Sequence, residues 1–207
     1  MRTALALAAG LVALAALGLF AQNKPAPGWR ADVDHLVLAL SWSPSWCATA
    51  APAGHPQCAP ERGVGWMVHG LWPQTATGWN DWCDGPDLTT GAVQQLAGPM
   101  ETEGLARYQW DKHGTCTGLS PTDYADRVDA AFTSIAPPRL PRETTAVGVI
   151  AAFREANGLP PGGLSVSCDE GHLRDVRICL SLDLEPIACP FVKARPCPGA
   201  LAVPPPG

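Results

Sequence analysis

The sequence predicts a single α+β domain held together by disulfides. Three observations predict it. Strand-like and helical segments follow one another without regular alternation, which disfavours a doubly wound parallel sheet. Eight cysteines lie behind an apolar N-terminal segment, and an even count in that context implies a disulfide framework. Hydrophobic types make up 46% of the 207 residues and charged types only 16%, with 22 prolines and 21 glycines. That balance describes a loop-rich globule with a real core, since disorder needs more charge and less hydrophobicity. No internal repeat breaks the chain into an array.

Residues 1–21 carry Arg2 and then an unbroken apolar run from Ala4 to Phe20, the pattern of a secretory signal. The run is nearly long enough to span a bilayer, so an uncleaved anchor is the alternative. Residues 22–33, with Pro25 and Pro27, read as a linker, residues 34–198 as the domain, and residues 199–207 as a disordered tail. Asp34 to Trp42 is a compact apolar run ended by a Ser-Pro turn and fits a buried strand. Cys47 to Arg62 is a Pro- and Gly-rich loop that a Cys47–Cys58 bridge could pin, and Val64 to Val68 is a strand leading into His69. Thr75 to Thr90 reads as a structured loop. The spacing predicts helices over Thr102–Lys112, Pro121–Ile135 and Thr145–Ala156. Gly114 stands where a helix end favours positive φ, Ser120 caps the second helix, and Asn157–Gly158 stops the third. Gly163–Cys168 and Leu173–Leu182 read as strands.

The cysteines Cys47, Cys58, Cys83, Cys116, Cys168, Cys179, Cys189 and Cys197 contain no CxxC pair, which argues against zinc. Disulfides are the better reading, although eight cysteines leave 105 connectivities open. The net charge of −5 excludes a broad basic patch that grips nucleic acid by counterion release. Chemistry on RNA would have to occur in a small local pocket.

RNA supplies its own nucleophile, the 2′-hydroxyl that DNA lacks. Cleavage then needs a base, an acid and donors around the charged transition state, and histidine serves both proton roles near neutral pH. Of five histidines, His69 (in WMVHGLWPQ) and His113 (in YQWDKHGTC) sit in dense clusters 44 positions apart. On the proposed helix Gln109 and His113 share a face, as do Tyr108 and Lys112. Lys112 would set a fixed positive charge beside His113. Gly70 and Gly114 would let backbone approach a ligand closely, and Trp66, Trp72 and Trp79 offer surfaces for an unpaired base.

HGLWP and the W-x-K-H-G-T-C run resemble the two active-site segments of the ribonuclease T2 family. The resemblance runs from LVLALSWSPSWC to LRDVRICL. It implies an α+β fold with a mainly antiparallel central sheet, and RNA cleavage with neither metal nor other cofactor. His113 would be the base and His69 the acid, with Lys112 and Gln109 at the phosphate. Trp72 would wall a base pocket, with Tyr108 and Trp79 as further substrate contacts. The resemblance also implies the pairs Cys83–Cys116, Cys168–Cys197 and Cys179–Cys189. The partner would be single-stranded RNA rather than DNA, no membrane would be involved unless residues 1–21 stay attached, and a secreted or periplasmic monomer is expected. Two positions depart from the family pattern: Tyr108 stands where a histidine is common, and Gln109 where a glutamate is. Neither can carry the charge of its counterpart near neutral pH, although both keep a donor.

Plainer readings stand beside these. His69 could be a strand-end histidine, Lys112 could merely favour a helix C-terminus, and Tyr108 and Gln109 could be solvated. Asp111 could form a surface ion pair of little consequence. Trp46, Trp66 and Trp110 are expected in the core, and His35, His55 and His172 as structural or surface residues. The rival functions are a catalytically silent exported binding protein on the same scaffold and a cystine-rich structural protein of the envelope.

Overall fold

The computed structural model describes residues 28–189 and 197–207. The expected signal segment 1–21 and linker residues 22–27 lie outside the described residues. Six strands form one sheet: β1 (His35–Trp42), β2 (Trp66–Gln74), β3 (Glu143–Thr145), β4 (Leu164–Asp169), β5 (His172–Leu180) and β6 (Ala200–Ala202). β1 lies between β2 and β5, antiparallel to both, and β4 pairs antiparallel with β5. β6 meets the start of β5 in parallel and β3 antiparallel. The helices are α1 (Ser43–Thr49), α2 (Thr90–Met100), α3 (Glu103–Lys112), α4 (Pro121–Thr133) and α5 (Ala146–Asn157). This is the expected α+β, mainly antiparallel arrangement.

The apolar run of β1 is central because both faces are covered. Leu36, Leu38 and Leu40 are fully buried, and Ala39 is buried on the other face. The helix starts follow their caps: Thr102, Ser120 and Thr145 each accept a backbone N–H at the third position of α3, α4 and α5. Gly158 ends α5 with φ of 63°. Tyr124 of α4 packs against Trp110 of α3 and donates its hydroxyl to the Leu71 carbonyl of β2, locking the helical layer to the sheet.

Several expectations need correction. α2 forms where the sequence predicts no helix. Gly91, Gly98 and Pro99 are breaker signals, yet Ala92, Val93, Leu96 and Met100 bury one face. α1 forms at the Ser-Pro pair itself, with Pro44 in its first turn where a missing N–H costs nothing. The second strand extends through His69 to Gln74 instead of stopping at Val68. Residues 28–33 are not a free linker, because Trp29 and Val33 are buried in the core and the Arg30 N–H donates to Thr117 O. Nor are residues 199–207 disordered. Leu201 and Val203 are buried, Ala200–Ala202 completes the sheet, and Pro204 O accepts the Trp42 indole N–H. The disulfides are Cys47–Cys58, Cys83–Cys116, Cys168–Cys197 and Cys179–Cys189, with no free cysteine among the described residues.

Candidate active site

His69 and His113 reach their positions by different backbone devices. On β2 the register with β1 steps from Ala39–Gly70 to Leu40–Val68, so His69 is the unpaired residue of a β-bulge. A bulge turns a side chain out of the strict strand alternation and is common beside active sites. His113 is the C-cap of α3, with its backbone N–H on Gln109 O. Disulfide Cys83–Cys116 ties the following turn to the 75–90 loop.

Seven side chains singled out from the sequence line one cavity of about 480 Å³: His69, Trp72, Trp79, Tyr108, Gln109, Lys112 and His113; Trp66 does not, and packs on Trp42 and Phe153. Trp72 stands between the two histidines, its ring centroid 5.6 Å from His69 and 5.4 Å from His113. Its indole N–H donates to Gln109 Oε1 at 2.8 Å. Gln109 is therefore a buried residue and not a solvated one, and the amide N–H groups are the donors it has left for a ligand. A Cβ on Gly70 would overlap both Gln109 Oε1 and Trp72 Nε1, so this glycine makes room for that hydrogen bond rather than for a ligand. Gly114 likewise lacks positive φ; a Cβ there would run into the Trp110 ring. Lys112 Nζ lies 3.3 Å from the Tyr108 hydroxyl and 5.6 Å from its ring centre. Asp111 is exposed and away from the cavity.

The two histidines occupy opposite electrostatic settings. Burial, and then the Lys112 charge, push the His113 imidazole down to about 4, so it is neutral over most of the acidic range. Its Nδ1 is buried without a partner, which leaves Nε2 to face the cavity. His69 Nδ1 instead lies 3.5 Å from Asp175 Oδ1 and 3.3 Å from Ser41 Oγ. Asp175 is 1% exposed. Burial alone would raise its pKa, but the His69 hydrogen bond and charge, Ser41 and Arg174 outweigh that and hold it at about 2. Ser41 Oγ donates to it at 2.5 Å and Ser167 Oγ at 3.1 Å, while Arg174 and Arg177 each approach to 3.7 Å.

Asp175, Arg174 and Arg177 were not singled out from the sequence. They belong to LRDVRICL, where charges interrupt an apolar strand, and that interruption is the signal that could have marked them. Arg174 is the bulge residue of β5 against β4, between the pairs Cys168–Leu173 and Ser167–Asp175. The Arg177 guanidinium carbon lies 5.3 Å from the centre of the Trp72 ring, and both arginines line the cavity. With Lys112 they give an acidic protein a cationic pocket. Beyond His69 and Arg174 a second cavity of about 310 Å³ opens, lined by Trp46, His55, Gln57 and Met67 among others. Trp46 therefore faces a cavity rather than the core; its ring meets His55 edge-on at 4.8 Å. Trp110 is core, as expected.

The "Ribonuclease T2 family" model matches residues 33–137. A ribonuclease of Aeromonas hydrophila is 40% identical over 105 residues, covering 51% of this chain and 47% of that protein. The chain thus spans about half the length of the curated relatives it matches. Among solved structures, an RNase-related protein from Calystegia sepium aligns with a TM-score of 0.66 at 21% identity, covering 84% of this chain and 98% of that one. RNase NT in complex with 5′-AMP aligns with a TM-score of 0.62 at 22% identity, over 84% and 99%. At these identities the structures speak for the fold, and the family match covers half of the sequence, including both histidine segments. The chain belongs to the ribonuclease T2 family.

Proposed function

We propose that this protein is an endoribonuclease that cleaves single-stranded RNA by acid–base transesterification in the His69–His113 cavity. The observation that carries this reading is the asymmetry of the two histidines on either side of Trp72. His113 is buried beside Lys112 and kept neutral, while His69 is paired with the Asp175 carboxylate. An acid and a base need unlike surroundings, and these two rings have them. His113 Nε2 takes the 2′-hydroxyl proton as the oxygen attacks phosphorus. His69 protonates the 5′-oxygen as its bond to phosphorus breaks, which leaves a 2′,3′-cyclic phosphate. Water then opens the ring to a 3′-phosphate with the two roles exchanged. Lys112 and the Gln109 N–H groups serve the charge on the phosphate oxygens. The nucleophile comes from the substrate and the protons move between histidines, so the steps call for no metal. Trp72, Tyr108 and Trp79 border the cavity and supply ring surface to the base of the cleaved nucleotide.

RNase NT, whose fold this chain shares, was solved in complex with 5′-AMP, which supports a nucleotide ligand here. Four disulfides fit a protein that works in an oxidising compartment, secreted or periplasmic. A second reading, an exported binding protein without catalysis, is favoured by Tyr108 and by Gln109, whose oxygen is committed to Trp72. One experiment separates them: the oxidised protein with a fluorescent oligoribonucleotide in EDTA from pH 4 to 8, beside DNA and 2′-O-methyl oligomers. Cleavage of the RNA alone is expected. Binding that survives loss of both histidines, with no cleavage at any pH, would establish the second reading.

A further inference from the structure

Three large aromatic side chains are left exposed among the described residues, and all three stand at one end of the cavity. Trp79 is 61% exposed, Trp82 58% and Tyr108 44%. Trp79 and Tyr108 line the cavity itself. Trp82 meets Tyr108 with ring centres 5.7 Å apart and planes at 82°, so the pair forms a corner that continues the cavity wall outward. An exposed aromatic patch continuous with a site is rarely idle surface.

The backbone is bent to display this ring. Trp82 has φ of 55°, in the left-handed region that a bulky side chain seldom adopts. Its N–H donates to Lys112 O at 2.8 Å, and the next residue is fixed by Cys83–Cys116. Core packing does not demand this conformation, because the side chain points to solvent. The open depression between Trp79 and Trp82 is edged by Asp81, Asp84 and Arg30. The corner therefore offers a strand ring surface for a base, and no net positive charge for a phosphate.

We infer that Trp82, braced edge-on by Tyr108, is a stacking subsite for the unpaired base of the nucleotide on the 5′ side of the one that is cleaved. The inference rests on the reading of the cavity as an RNA-cleaving site. In that reading His69 faces the departing 5′-oxygen, so the nucleotide beyond the scissile phosphate lies toward the second cavity on the His69 side. The Trp82 corner lies at the Lys112 and Tyr108 end, past the nucleotide that carries the attacking hydroxyl. Stacking of one base on an aromatic ring tolerates any sequence, so the subsite would favour longer single strands without a base preference.

The test compares a dinucleotide substrate with the same substrate extended by one 5′ nucleotide, and with that extension made abasic. Adding the 5′ nucleotide should raise kcat/KM about tenfold, and the abasic extension should not. Trp82→Ala should abolish the gain while leaving dinucleotide cleavage and the melting temperature unchanged, and Trp82→Phe should retain most of it. Affinities for uncleavable 2′-O-methyl di- and trinucleotides should show the same pattern, which reads the subsite without cleavage. A gain that survives Trp82→Ala, or that the abasic extension also gives, would overturn the proposal. Failure of the unaltered protein to cleave any RNA would instead overturn the reading of the cavity, with the binding increments still deciding on the subsite.

Discussion

Replacing His113 by alanine is expected to lower kcat/KM for RNA by about a hundredfold to ten-thousandfold, the range spanned by a positioned general base. The expectation follows from where the ring sits. His113 is buried at the end of α3 beside Lys112, with Nδ1 enclosed and Nε2 toward the cavity. The pH profile gives the assignment a sharper form. Burial, followed by the Lys112 charge, places the imidazole at about 4, so kcat/KM of the unaltered protein should rise as pH rises through about 4. That rising limb should vanish in the residual activity of the alanine variant. Stability moves in the same window. The ordinary imidazole value is 6.5, so the unfolded chain binds a proton that the folded His113 refuses. The fold therefore loses stability as pH falls from 6.5 toward 4, and the variant should lose less over that interval. Denaturant titrations at pH 4 and 7 measure the difference; an unchanged pH dependence would show that His113 is not held neutral.

The second large effect is expected at Asp175. Asp175→Asn keeps the size of the side chain and one acceptor for Ser41 or Ser167, but removes the anion beside His69 Nδ1. It should lower kcat about a hundredfold, roughly 2.7 kcal/mol of transition-state stabilisation, with KM much less affected. Asp175 touches no substrate; it is a positioning residue that holds His69 Nδ1 and so aims its Nε2. A purely structural role would cost kcat and stability together, because Arg174 and Arg177 would lose the carboxylate they approach. A fall in kcat that merely tracks lost stability, or a loss carried mainly by KM, would therefore contradict the assignment. The carboxylate's own contribution to stability is present above its ordinary value of 3.8 and is lost as pH falls toward about 2, so the substitution should matter least in strong acid.

The part of this site that lies on two continuous segments was legible in the sequence, and the part contributed by β5 was not. HGLWP and WDKHGTC each carry a histidine among unusual neighbours, so His69, Trp72, Lys112 and His113 stood out before any geometry was known. Arg174, Asp175 and Arg177 lie more than 60 positions beyond His113, marked only by charges that interrupt an apolar strand. Only the pairing of β5 with β1, itself paired with β2, brings Asp175 against His69. The same distance in sequence hid the cationic lining of the pocket in an acidic chain, since its cations come from both α3 and β5. In the fold, capped and periodic segments such as α4 and α5 were readable. α2 was not, because its glycines and Pro99 outweigh a short buried face locally while burial outweighs them in three dimensions. The C-terminal prolines hid β6 in the same way: they signal loop, but Leu201 and Val203 between them have a core to enter.

The most direct test of the central claim is phosphorus NMR of a dinucleotide substrate during turnover by the oxidised protein in EDTA. The account predicts transient accumulation of a 2′,3′-cyclic phosphate that converts to a 3′-phosphate, with no signal change for the 2′-O-methyl analogue. A 5′-phosphate product, or cleavage of the analogue, would mean that the 2′-hydroxyl is not the nucleophile and that the paired roles of His69 and His113 are wrong.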